Sequence, residues 1–210
     1  MAGLWSLVTK SATPIVSLAE AKRQTNTVDF NDDDILLTAI VDAVTALLDL
    51  ENGVIGRPLL SQSWQFTAPE PSPLAGNPYM RGHTPRTGFL LTRAPLQAVT
   101  KVEYLQNGAY VDFTASAVTR QVTKEATLIR VADGTAWPRY DVDEAAWRIT
   151  ARLGYGDNAA DIPAAIRQAA LLLVSHFYQN REATTGFGSN LQELPLGVAA
   201  LLMPHRAPNT

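Results

Sequence analysis

The sequence predicts an α+β fold: N-terminal helices and a long central core helix packed with an inserted antiparallel β region, then a short C-terminal helix or tail. Three observations predict it. Apolar residues recur with a 3.6-residue period over residues 32–51. Short alternating runs, separated by turn residues, fill residues 60–153. A second helical run follows at 161–182. Helices, then hairpin-linked strands, then helices is the order of an α+β chain and not of βαβ units.

The elements follow in chain order. Residues 1–16 read as a loosely held N-terminal arm. Ser17 and Glu20 have the spacing of a capping box, which predicts a short helix over about 17–24. In the next helix Leu37, Ile40, Val41, Val44, Leu47 and Leu48 form the apolar face. Thr38, Asp42, Thr45, Asp49 and Asn52 form the polar one, and Asn52-Gly53 supplies the stop. Leu60, Gln62, Trp64 and Phe66 alternate with Ser61, Ser63 and Gln65, a strand pattern. Residues 68–88 hold five prolines and read as a long exposed loop. Asn107-Gly108 between residues 99–105 and 110–113 marks a hairpin, because Asn and Gly accept positive φ. Residues 117–122 and 127–131 are further strands. In 147–153, Trp147, Ile149, Ala151 and Leu153 alternate with Arg148, Thr150 and Arg152, so one face is buried and one is wet.

The helix over 161–182 is expected to be capped by Asp161, with Pro163 in its first turn. Its middle, residues 169–174, is apolar on every face, which demands enclosure by protein. That run is six residues, whereas a membrane span needs roughly twenty, so no membrane partner is expected. Residues 183–190 have linker composition, and a short apolar element follows at 196–203. The expected organisation is an arm (1–16), one α+β domain (17–182) with its loop at 68–88, and a linker with a C-terminal docking segment (183–210).

Composition excludes several function classes. The chain has 210 residues, 46% of them hydrophobic, enough for a sizeable core. A formal net charge of -3, with arginines spread from Arg57 to Arg181, does not make the basic patch that grips nucleic acid. No cysteine is present, so disulfides and thiolate chemistry are excluded. Leu4, Trp5, Leu7 and Val8 have no basic residue ahead of them, so no signal peptide is expected and a cytoplasmic site of synthesis is the default.

Local motifs are weak as chemistry. Gly154, Gly156 and Ala159 match a dinucleotide fingerprint on paper. The flanking strands are hairpin-linked and the glycines do not open the helix, so a tight strand-to-helix turn is the better reading. A small enzyme or nucleotide-binding domain using the 154–157 turn is the alternative function. Asn31 to Asp34 is an acidic helix start without the spacing of a calcium loop. His83, His176 and His205 are far apart in sequence, which predicts no metal site, and His176 is expected to be a hydrogen-bonded core histidine. No catalytic residue, cofactor or metal is therefore expected. The C-terminal apolar element either docks on its own core or presents anchors to a partner's groove. Those anchors would be Leu196, Ala199, Ala200 and Met203, or Val198, Leu201 and Leu202.

Four landmarks carry a family resemblance. The first is Leu18-Ala19-Glu20-Ala21-Lys22 followed by Asp32-Asp33-Asp34-Ile35-Leu36. The second is Gly56-Arg57-Pro58-Leu59-Leu60-Ser61-Gln62-Ser63-Trp64. The third is Trp137-Pro138, then Gly154-Tyr155-Gly156-Asp157 and the run from Ile162 to Ala169. The fourth is His176-Phe177-Tyr178-Gln179-Asn180-Arg181-Glu182, with Leu194-Pro195-Leu196-Gly197-Val198 and Leu201-Leu202 downstream. In order and spacing, over residues 17–206, the chain resembles the tailed-phage head–tail connector (adaptor) family, the gp6-like group. The proline-rich 69–85 stretch departs from that pattern in length. The resemblance implies a non-enzymatic virion protein of the neck, made in the bacterial host cytoplasm. It implies a ring, typically of twelve copies, that sits under the portal protein and extends the DNA channel. That ring would meet a stopper or tail-terminator protein, with DNA only as passing cargo. It also implies a portal-docking C-terminal segment, 191–206, with Leu196, Val198, Leu201, Leu202, Met203, His205 and Arg206 as the contact residues.

Overall fold

A computed structural model describes residues 3–49, 53–73, 87–123, 126–132, 135–181 and 196–207. The chain divides into two compact units. One is helical, formed by residues 11–60 and 155–210. The other is a β unit, formed by residues 1–10 and 61–154. Residues 17–182, read from sequence as one domain, contribute to both units, and each unit also takes chain from outside that range.

In the helical unit, α1 (Leu18–Thr25) starts at the predicted capping box. The Ser17 side chain accepts from the Glu20 N–H, and the Glu20 carboxylate accepts from the Ser17 N–H at 2.9 Å. That backbone contact is the main reason the Glu20 carboxyl lies below its ordinary pKa. α2 (Asp34–Leu48) is shorter than predicted. Its buried face is Leu37, Val41, Val44 and Leu48. Thr45 and Asp49, assigned to the polar face, are buried as well, because each caps a backbone donor. The Thr45 hydroxyl accepts from the Ile15 N–H, and the Asp49 carboxylate accepts from the Leu59 N–H. Ile15 and Val16 are fully buried in the same core, so the end of the presumed arm is core.

α3 (Ala164–Gln179) begins after Pro163, which lies outside the helix. Asp161 does not cap it. Asp161 sits in a preceding 3-10 turn, where its carboxylate accepts from the Asn158 N–H at 3.0 Å. α3 packs against α1, α2 and α4 (Leu196–Leu202). Ile166, Ala169, Ala170, Leu173 and Val174 are buried, while Leu171 and Leu172 are half-buried. The helix is therefore enclosed on one side and not all round. His176 and Phe177 are exposed, and the expected core histidine is a surface one. Its ring lies 3.4 Å from the Asn180 amide nitrogen, one turn on.

The β unit contains two antiparallel sheets. The five-stranded sheet has the order β1 (Leu4–Thr9), β2 (Gln62–Ala68), β9 (Trp147–Leu153), β5 (Leu96–Gln106), β6 (Ala109–Asp112). The four-stranded sheet has the order β3 (Ser72–Pro73), β4 (Thr87–Leu91), β8 (Ala126–Val131), β7 (Ala117–Thr123). The N-terminal arm is thus a paired edge strand, with Trp5 opposite Phe66. The 68–88 loop is shortened at both ends: Ala68 closes β2, and Ser72–Pro73 pairs with Thr87 and Gly88. Its middle, 74–86, with His83, lies outside the described residues. The predicted hairpin is present: Asn107 (φ 51°) and Gly108 (φ 75°) both take the left-handed conformation that the turn requires.

One aromatic core draws on both sheets through Phe66, Phe89, Val102, Phe113, Ile129, Trp147 and Ile149. Trp147 is its centre. It is fully buried, and its ring centroid lies 5.0 to 5.6 Å from those of Trp137, Phe89, Tyr140, Tyr104 and Phe113. The contacts with Trp137, Tyr140 and Phe113 are edge-to-face, an arrangement that adds to the burial of apolar area. A Trp147→Ala variant should lose about 3–5 kcal/mol of stability. The loss should appear in urea titrations followed by the tryptophan fluorescence that remains.

Candidate docking segment and interface surfaces

The C-terminal residues singled out from sequence divide into two groups. Val198 and Leu202 are fully buried in the helical core and are covered by this chain's own residues. Met203 is 72% exposed and Arg206 is exposed, while Leu201 and His205 are half-buried. Ala199 and Ala200 are exposed; the Leu196 side chain lies outside what is described, as do residues 191–195. The segment is held to residues 54–57 by three hydrogen bonds. The Arg206 Nε donates to the Val54 carbonyl at 2.9 Å, the Ala207 N–H to the Ile55 carbonyl at 2.8 Å, and the Arg57 Nη2 to the Arg206 carbonyl at 3.1 Å. Residues 196–207 are part of the helical unit. Of this segment, Met203 and Arg206 are open to solvent, and Val198 and Leu202 are not.

At the 154–157 turn the space beside Gly156 is taken by the Asp161 side chain. Gly154 has φ 114°, a conformation that favours glycine. A Cβ on Gly156 would overlap the Asp161 carboxyl group, which explains the second glycine by packing alone. The Asp161 carboxylate takes the Asn158 amide. A phosphate would meet like charge there.

The acidic helix start has structural partners. The Lys22 Nζ donates to the Asn31 Oδ1 at 2.6 Å and pairs with Asp34 at 2.7 Å. The Tyr178 hydroxyl donates to the Asp33 Oδ2 at 2.6 Å, and the Arg181 Nη2 lies 2.8 Å from the same oxygen. Arg181 also lies over the Tyr178 ring, 4.7 Å from its centroid. This contact ties the start of α2 to the end of α3. The Tyr178 hydroxyl first, and Arg181 second, hold the Asp33 carboxyl below the usual carboxylate range. Arg167 pairs with Glu20 and ties α3 to α1 in the same way. Among the described residues no group of three or more His, Cys, Asp or Glu side chains could hold a metal ion. Nor is any described helix long and apolar enough to cross a membrane.

Sequence reasoning missed two surface features of the β unit. The first is β1, whose Leu4 (76%), Leu7 (44%) and Val8 (54%) are exposed. It is pinned from the side by Arg93, whose guanidinium carbon lies 5.3 Å from the Trp5 ring centroid and 4.5 Å from that of Trp64. Burial draws the Arg93 pKa down from its ordinary value. The alternation of Trp5 and Leu7 with Ser6 and Val8 was the available signal, and it is short. The second is the loop over 139–146, which carries a 98% exposed Val142. Nothing in its local composition marks it.

No family model and no curated protein matches the chain. Solved structures do. The fold is that of a neck chain from gene transfer agent particles. A chain described as "Neck of empty GTA particle computed with C6 symmetry" superposes with a TM-score of 0.65 at 19% identity, over 99% of this chain and 97% of that one. A chain described as "Virion of native gene transfer agent (GTA) particle" gives 0.64 at 19% identity, with the same coverage. A third, "Neck of native GTA particle computed with C12 symmetry", gives 0.56 at 20% identity, over 98% and 97%. The likeness spans both units of the chain.

Two outcomes test these assignments. Leu202→Ala should destabilise the helical unit by about 2–5 kcal/mol, and Met203→Ala should change stability by less than about 0.5 kcal/mol, as measured by chemical denaturation. The Asp33 contact contributes stability that is present above the carboxyl's unfolded pKa, about 4, and is lost as pH falls through the lowered folded value. Melting temperature should therefore drop on acidification below about pH 4, and Asp33→Asn should flatten part of that drop.

Proposed function

We propose that this protein is a structural component of the neck of a phage-like particle: a head–tail adaptor of the gp6-like kind. It forms a ring under the portal, extends the DNA channel and links the capsid vertex to the stopper or tail. The observation that carries the reading is the near end-to-end match of this chain to neck chains of gene transfer agent particles. The order of landmarks in the sequence supports it independently. Necks computed with C6 and C12 symmetry accord with copies repeated around an axis. In such a ring one surface of each copy meets a different surface of the next. A net charge of -3 suits a channel past which DNA slides, because clustered cations would hold the phosphates.

Portal docking falls to the exposed part of the C-terminal segment, Met203 with Leu201, His205 and Arg206. Val198 and Leu202 serve the fold of the segment that presents them. Truncating the segment would remove core residues along with the docking face, so point substitutions separate the two roles. Met203→Asp should leave the melting temperature within about 2 °C of the parent. It should also abolish co-sedimentation with purified portal rings. Electron micrographs of the parent protein, alone and with portals, should show annular particles. Monomers in both preparations would sink the adaptor reading.

A further inference from the structure

The two ends of the five-stranded sheet are unlike each other, and their chemistry is complementary. At one end is β1. It presents Leu4, Leu7 and Val8 to solvent, with the register shift between Leu7 and Thr9 leaving Val8 outside the regular pairing. The exposed Lys10 follows directly. At the other end is β6, with Val111 37% exposed and Asp112 exposed beside it.

The loop over 139–146 stands against the β5–β6 hairpin and is braced by it. The Gly108 N–H donates to the Asp141 Oδ2 at 2.8 Å, and the Asp141 N–H to the Leu105 carbonyl at 2.8 Å. The Tyr110 hydroxyl donates to the Ala145 carbonyl at 2.8 Å, and the Ala145 N–H to the Asp143 Oδ1 at 2.8 Å. Held this way, the loop displays Val142, 98% exposed, between Asp141 and the exposed Asp143 and Glu144. The exposed Arg139 is the basic group at its base.

One end of the sheet is thus apolar with a single cation, Lys10, and the other is apolar with Asp112, Asp143 and Glu144 beside the cations Lys101 and Arg139, of which Lys101 interacts with Asp112. Unpaired sheet edges are ordinarily blunted by charge or covered, and β1 carries three exposed apolar side chains instead. We infer that these two ends are the two halves of one head-to-tail interface between copies of this chain. The β1 edge of one copy (Leu4, Leu7, Val8, Lys10) meets the β6 edge and Val142 loop of the next (Val111, Asp112, Val142, Asp143, Glu144). Because the two halves differ, each copy can bind a neighbour on both sides, which is what ring closure needs. The inference rests on the ring reading and adds to it the surfaces involved.

The absence of cysteine from the chain makes the test clean. A full-length Val8→Cys, Val142→Cys double variant, treated with a bismaleimide cross-linker, should give a ladder of oligomers up to the ring. Each single-cysteine variant should give none. Lys10→Glu, a surface change that leaves the fold alone, should raise the concentration for half-assembly severalfold. Rings in micrographs without a ladder would overturn the assigned surfaces and leave the adaptor reading standing. Dimers from Val8→Cys alone would mean that β1 meets itself, and would likewise overturn them. An unchanged assembly concentration for Lys10→Glu would remove the charge complementarity. Monomers with neither rings nor cross-links would overturn both readings.

Discussion

The helical unit depends on a short seam where the chain leaves it and returns. Leu59 and Leu60 are the last residues before the β insertion, and Tyr155 and Gly156 are the first after it. The Tyr155 N–H donates to the Leu59 carbonyl at 2.9 Å, and Leu60 forms a parallel bridge with Gly156. The Leu59 N–H is in turn taken by the buried Asp49 carboxylate at the end of α2. A buried backbone donor left without a partner is costly, so Asp49 cannot point to solvent as its helical phase suggests. The chain also crosses between the units after Lys10; the seam joins the crossings that flank the 61–154 insertion. α1, α2 and α3 can then pack as though they were close neighbours in sequence.

This seam explains why some features were legible in the sequence and others were not. The hairpin at Asn107-Gly108, the strand at Trp147–Leu153 and the capping box at Ser17 are local signals, and each lies where its pattern put it. The burial of Thr45 and Asp49 is set by backbone groups far along the chain, which no periodicity records. Asp161 looked like a helix cap because it precedes Pro163, but Asn158 supplies a nearer donor. His176 sits in the helix expected to be enclosed, on a face that the other helices leave open. The same limit applied to the docking segment. Its apolar residues at helical spacing could serve a partner or their own core. Val198 and Leu202 serve the core, and the exposed remainder is smaller and more polar than the sequence suggested.

The proposed role asks two things of the surface: contact with copies of itself and contact with unlike neighbours. The two units carry different exposed surfaces. The β unit has two exposed apolar ends, with Lys10 at one and Asp112, Asp143 and Glu144 at the other. The helical unit offers Met203 and Arg206 on a segment pinned by three hydrogen bonds. Rigid presentation lowers the ordering cost of association, which matters for a contact built from few residues.

The strand order of the five-stranded sheet has a consequence for how the chain acquires its structure. β2 and β5 never pair with each other; β9 lies between them and pairs with both. Among the described residues β9 is the last strand in sequence, and Trp147 at its start lies at the centre of the aromatic core. During synthesis, β1 and β2 can pair early, and β5 and β6 can form their hairpin, but the two halves stay separate sheets with open edges until residue 153 is available. The sheet is therefore complete only once β9 has joined the two pieces through long-range pairings, which form slowly. Until then the inner edges of both pieces are open to other chains, so this stage of folding is the one most exposed to mispairing.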